Sequence, residues 1–183
     1  MEFVATELPG VLLIEPDVFP DPRGSFQEVW RRERYADAGI LAQFDQDNLS
    51  RSHRGVLRGL HFQEPGGQGK LVLVLSGAVF DVVVDVRRGS PHFGRWLGTV
   101  LSAENHLQLW VPPGYAHGFC VLSDDADFLY KCVGAYRPED EHTIRFDDPD
   151  IAVDWPVSDP ILSDKDRAAP RLCDAPVLPA FQR

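Results

Sequence analysis

From Leu71 to Phe146 the chain is a succession of short apolar runs, each closed by a turn signal, and this spacing constrains the fold most. The runs are Leu71 to Leu75, Ala78 to Val86, Trp96 to Leu101, Leu107 to Val111, Gly118 to Leu122, Phe128 to Val133 and Thr143 to Phe146. Gly89-Ser90-Pro91, Pro112-Pro113-Gly114 and Ser123-Asp124-Asp125 separate them. Many strand-length runs at short intervals predict an all-β sandwich or barrel. The Ser76-Gly77 junction between the first two runs predicts a tight hairpin. Within the second run Phe80, Val82, Val84 and Val86 share a dry face, whereas Val79, Asp81, Val83 and Asp85 mix acid into an apolar one. No βαβ alternation, GxGxxG or P-loop is present. The best helix candidate is Arg31 to Ala42. The stretch from Asp159 to Arg183 carries four Pro and is expected to wrap the surface as loop and short helix.

The 183 residues, 44% of them hydrophobic, suit one domain with a sizeable core. Eighteen Lys and Arg against 28 Asp and Glu give a net charge of −10, which excludes a whole-surface nucleic-acid binder. An anionic ligand therefore needs a local cluster of Arg and Lys. Three Cys without a CxxC pair argue against a disulfide scaffold and a cysteine zinc site. No apolar run reaches membrane-spanning length, and the start is acidic where a signal peptide would be basic, so a cytoplasmic protein is expected.

Several segments bear chemistry. In Arg54-Gly-Val-Leu-Arg-Gly-Leu-His-Phe-Gln63, an Arg inside an apolar strand requires a partner or a ligand. Strict alternation places Arg58 and His61 on opposite faces. They share a cavity only if the strand bends or bulges, and Gly59 is placed to allow it. Gln68-Gly-Lys70 sets a cation at a strand start, either solvated or projecting into a barrel mouth. Pro112-Pro-Gly-Tyr-Ala-His-Gly-Phe119 resembles the second half of the cupin motif. The first half normally carries His-x-His, and here it reads His61-Phe62-Gln63. An amide is a poor transition-metal ligand, so no metal is expected. Tyr130 alternates with Phe128 and Cys132 and is either a core phenol or a general acid. Leu162-Ser-Asp-Lys-Asp166 supplies acids, normally solvated, one of which can fold back to orient an imidazole. His53, His92, His106 and His142 are scattered and read as exposed.

Taken in order, these segments resemble the dTDP-4-dehydrorhamnose 3,5-epimerase family of cupin-fold enzymes. The resemblance runs from about Gly10 to Pro170 and also uses Asp21-Pro-Arg-Gly-Ser-Phe26, Gln46-Asp-Asn48, Ser90-Pro-His-Phe-Gly94 and Leu101-Ser-Ala-Glu-Asn105. It implies a cupin-type jelly roll in a single domain, with residues 1–50 as dimerising N-terminal strands, 51–147 as the core and 148–183 as a C-terminal wrap. It implies isomerisation of dTDP-4-dehydro-6-deoxy-D-glucose at C3 and C5, with no cofactor.

The implied catalytic set is His61 as base, Asp166 as its orienting carboxylate, Lys70 beside the enolate oxygen and Tyr130 as the acid on the opposite face. The implied substrate-binding set is Arg23, Glu28, Gln46, Asn48, Arg58, His117 and Tyr136. The resemblance also implies a homodimer with N-terminal strand exchange, in which Arg23 and Glu28 serve the neighbouring site. One departure is Leu49, where the family often has His after Gln-Asp-Asn, and a changed pocket edge is the expectation. Three further readings stay open: a mono-epimerase acting at C3 or C5 alone in antibiotic-sugar synthesis, a metal-dependent cupin, and a non-catalytic sugar-nucleotide binder.

Overall fold

The computed structural model describes residues 1–182. Its strands are β1 (Glu2–Ala5), β2 (Leu12–Glu15), β3 (Val18–Asp21), β4 (Gly24–Gln27), β5 (Phe44–His53), β6 (Leu57–Gln63) and β7 (Lys70–Ser76). They continue as β8 (Ala78–Asp85), β9 (Trp96–Ser102), β10 (Gln108–Val111), β11 (Tyr115–Val121), β12 (Asp125–Val133) and β13 (Glu141–Thr143). Two short helices, α1 (Arg32–Asp37) and α2 (Asp164–Arg167), complete the set with two single 3-10 turns. No helix among the described residues is long and apolar enough to cross a membrane.

Two antiparallel sheets face each other in the jelly-roll manner. One runs β1-β2-β10-β7-β12-β5 and the other β13-β6-β11-β8-β9, while β3 and β4 form a separate ribbon. Alternation fills the space between the sheets. Val72, Val74, Leu109 and Phe128 from the first meet Val79, Val83, Leu101, Phe119 and Val121 from the second. The opposite face of β8 is dry as well. Val82, Val84 and Val86 pack outward against Ile144, Ile151 and Leu172, so residues after β13 form a third layer over this sheet. On the outside of the first sheet, α1 and the turn after it place Tyr35 and Ile40 against Ile14, Leu71 and Trp110.

Three local expectations fail. Ser76-Gly77 is a corner and not a hairpin: β7 and β8 lie in different sheets. Gly77 takes φ +78°, and the Ser123 hydroxyl binds Ala78 N at 2.8 Å, which turns the chain across the core. Both runs are buried on both faces, so each takes its place between other strands and they do not pair with each other. The helix expected over 31–42 is only Arg32–Asp37, because Gly39 adopts φ +89° and ends it. Of the four scattered histidines only His53 is exposed; His142 is half-buried and binds the Glu64 carbonyl at 2.9 Å.

Candidate active site

The bend needed at Gly59 is present. β6 pairs with β11 so that His117 opposes His61, yet Phe119 opposes Arg58. Two residues of β6, Gly59 and Leu60, thus stand against one of β11, Gly118, which is a β-bulge. Gly59 has φ +135°, and a Cβ there would stand 2.5 Å from Gly118 Cα, so only glycine fits. The extra residue turns Arg58 and His61 toward one cavity of about 320 Å³. β5 contributes Gln46, Asn48 and Ser50 to its wall, β7 contributes Lys70, β11 contributes His117 and β12 contributes Phe128 and Tyr130. Tyr136 and Glu141 line its outer part.

Asp166 lies behind His61. Its carboxylate is 2.6 Å from Nε2 and only 3% exposed. The local sequence dictates this placement. Ser163 caps α2, accepting from Asp166 N at 3.1 Å. Ile161 docks the segment on β6, accepting from Leu57 N at 3.0 Å and donating to Gly55 O at 2.9 Å. Burial pushes the Asp166 carboxyl up, but the bond from His61, the imidazole charge and Ser163 outweigh it and hold the carboxyl below its ordinary range. With Nε2–H given to Asp166, the free imidazole lone pair is on Nδ1.

Lys70 opens β7, and burial lowers its ammonium pKa, against the opposing pull of Cys132, Glu141 and Asp81. None of its neighbours closes on it as a salt bridge among the described residues. Its charge is therefore free for an incoming oxyanion. Tyr130 lies on the same inner face of β12 as Phe128 and Cys132, and burial raises its phenol pKa, so it stays protonated at neutral pH.

His117 binds both oxygens of Asp81, at 2.9 and 3.0 Å, and Asp81 is fully buried. Burial raises the Asp81 carboxyl pKa, partly offset by His117 and Lys70. Gln46 binds the Asn48 side-chain oxygen at 2.8 Å and accepts from Tyr136 N at 3.1 Å, which ties the Tyr136 loop to the cavity wall.

Nine of the eleven expected site residues are thus gathered: eight line the cavity and Asp166 backs His61. Arg23 and Glu28 are not. Arg23, with its side chain 90% exposed, sits at the tip of the β3–β4 ribbon and pairs with Asp21. Glu28 pairs with Arg34 at 3.2 Å. Leu49 corrects its expectation. Strand alternation points Gln46, Asn48 and Ser50 inward, so Leu49 is on the outer face and away from the pocket edge.

Glu141 was not foreseen. Its carboxylate accepts from the Tyr136 hydroxyl at 2.8 Å, pairs with Lys165 and stands 4.0 Å from His61 Nδ1. Burial raises its pKa, but Lys165, Tyr136 and His61 outweigh it, and the group is held below its ordinary range. Pro138-Glu-Asp-Glu141 reads as a solvated acidic loop, and only its pairing with β6 reveals the role. Asp81 carried a signal, an acid on an apolar strand face, but the sequence did not point to His117. Among the described residues no three His, Cys, Asp or Glu groups gather as a metal site would require.

A constellation of a half-buried imidazole backed by a buried carboxylate, a free ammonium and a neutral phenol around one cavity can move a proton from one face of a carbon acid to the other. The family model for dTDP-4-dehydrorhamnose 3,5-epimerase matches residues 5–174. The dTDP-4-dehydrorhamnose 3,5-epimerase of Shigella flexneri is 51% identical over 177 residues, 96% of this chain and 98% of that protein. A 3,5-epimerase from Legionella pneumophila, solved with dTDP-4-keto-L-rhamnose, superposes with TM-score 0.96 at 50% identity, covering 100% of this chain and 99% of that one. The dTDP-4-dehydrorhamnose 3-epimerase of Streptomyces niveus is 44% identical over 177 residues, 94% of this chain and 86% of that protein.

Proposed function

The chain belongs to the dTDP-4-dehydrorhamnose 3,5-epimerase family, and from that premise we propose how its own residues carry the reaction. It is an isomerase that epimerises dTDP-4-dehydro-6-deoxy-D-glucose at C3 and C5 to dTDP-4-dehydro-L-rhamnose. Carbons 3 and 5 flank the C4 ketone, so a proton on either is acidic once the resulting enolate is stabilised. His61 Nδ1 takes that proton. Asp166 holds Nε2–H and stabilises the imidazolium, and the Glu141 carboxylate 4.0 Å from Nδ1 adds to that field. The Lys70 ammonium stabilises the enolate oxygen. Tyr130 delivers a proton to the opposite face. Each inversion is redox-neutral, and the proton count is restored when Tyr130 and His61 re-equilibrate with solvent.

Binding falls to the remaining residues. Arg58 holds the diphosphate, and Tyr136 offers an aromatic face at the mouth. Gln46, Asn48 and His117 fix the sugar. The protein acts as a homodimer in which the N-terminal ribbon crosses to the neighbour and brings Arg23 and Glu28 to its cavity. Support comes from the ribbon itself: among the described residues β3 and β4 pair as strands only with each other, and the cross-strand pair Phe19 and Phe26 is 59% and 70% exposed.

The observation that carries this reading is the 2.6 Å His61–Asp166 contact opening on a cavity shared with Lys70 and Tyr130. The test is NMR of dTDP-4-dehydro-6-deoxyglucose incubated with the protein in D₂O. Deuterium at both C3 and C5 is expected. Deuterium at one carbon alone would mark a mono-epimerase, and no exchange at either would overturn the proton-transfer mechanism.

A further inference from the structure

Most arginines near acids in this protein are neutralised. Arg23 is held by Asp21, Arg54 by Asp124, Arg87 by Asp85 and Arg145 by Asp147. Arg58 differs. Its Nε donates to the Ser52 hydroxyl at 3.0 Å, and its terminal nitrogens have no protein partner among the described residues. Ser52 is buried at 4% exposure and does not itself line the cavity. A neutral acceptor fixes the plane of the guanidinium without cancelling its charge. Its two Nη groups are then left for a bidentate acceptor.

The neighbouring hydroxyl on the same strand face adds to this. Ser50 lines the cavity, yet its Oγ is shielded and has no hydrogen-bond partner. A shielded hydroxyl without a partner is disfavoured, and a χ1 turn between staggered wells exposes it to an entering oxygen. An acceptor-only group carrying negative charge satisfies both the Nη donors and this hydroxyl. Within the sugar-nucleotide reading, that group is the diphosphate.

We propose that Ser52 is a positioning residue that aims Arg58 at the diphosphate of the sugar nucleotide, and that Ser50 is the second donor to it. The inference rests on the proposed function. The test is calorimetric titration of dTDP into the dimeric protein, its Ser52→Val and Ser52→Thr variants and Ser50→Ala, with each Ser52 change repeated in an Arg58→Met background. The Val and Thr side chains share one shape and differ in the hydroxyl.

Ser52→Val should weaken dTDP about five- to twentyfold, while Ser52→Thr stays within about threefold of wild type. In the Arg58→Met background Ser52→Val should add nothing, because its effect passes through Arg58. With substrate, Ser52→Val should raise KM more than it lowers kcat. Ser50→Ala should weaken dTDP about two- to fivefold while leaving the melting temperature of the free protein equal or higher. Equal affinities for Val and Thr, or an undiminished Val effect without Arg58, would overturn the role of Ser52. Unchanged dTDP affinity in Ser50→Ala would overturn that of Ser50. Wild-type protein that fails to bind dTDP would instead sink the sugar-nucleotide reading itself.

Discussion

Replacing Asp166 by Asn keeps the shape of the dyad and removes its charge. The carboxylate is 3% exposed and 2.6 Å from His61 Nε2, so water cannot stand in for it. An amide can still accept from Nε2–H, but it can also flip and donate to Nε2. The flipped form drives the proton to Nδ1, the atom that must be free to act as base. Either way the imidazolium loses a charge-assisted bond worth about 1.5–3 kcal/mol. At 1.36 kcal/mol per tenfold, the loss in kcat is about 10- to 150-fold.

Asp166 also links activity to acid stability. Its folded pKa lies below the ordinary value, so its contribution is present above the unfolded pKa near 3.9 and is lost as pH falls through the folded value. Wild type should therefore lose melting temperature below about pH 4 more steeply than Asp166→Asn. The assays are steady-state turnover, deuterium entry by NMR, and thermal melts across acid pH. A variant that keeps kcat within about threefold of wild type would refute the dyad argument.

Other outcomes follow from the same geometry. Tyr130→Phe should still exchange the abstracted proton with solvent while inverted product falls about 10²-fold or more, as NMR in D₂O would register. Lys70→Met should cost about 10²–10³-fold in kcat with the fold intact by circular dichroism. Because burial lowers the Lys70 pKa, the alkaline limb of kcat should fall at a pH below that of an ordinary lysine. Lys70→Arg should shift that limb upward. Gly59→Ala places a methyl 2.5 Å from Gly118 Cα at φ +135° and should lower the melting temperature by several degrees or abolish folding.

Much of this site can be read along the chain because strand periodicity is a strong local signal. Alternation over Phe128 to Cys132 puts Phe128 and Tyr130 on one face, and the structure keeps that pair in the cavity wall. Gly59 within an apolar strand marked the bulge that joins Arg58 to His61. The misreadings lie where the outcome depends on distant partners. Ser76-Gly77 has the chemistry of a hairpin, but both flanking strands are buried on two faces, which sends them into different sheets. Glu141 is one acid among several in its loop, and its distance from His61 is set by the β13–β6 pairing. Leu49 was adjacent in sequence to a pocket residue and opposite to it in space.

The segment after β13 supplies one half of the His61–Asp166 pair. His61 and Asp166 are 105 residues apart. Both sheets are closed by Thr143, with His61 already in place on β6. A nascent chain that has released only this much lacks the carboxylate that backs the imidazole. The His61–Asp166 pair is complete only when Ile161 docks beside Gly55 and Leu57 and α2 delivers Asp166. In the proposed mechanism the pair that abstracts the proton is therefore completed late in synthesis, once the closing segment has been made and seated.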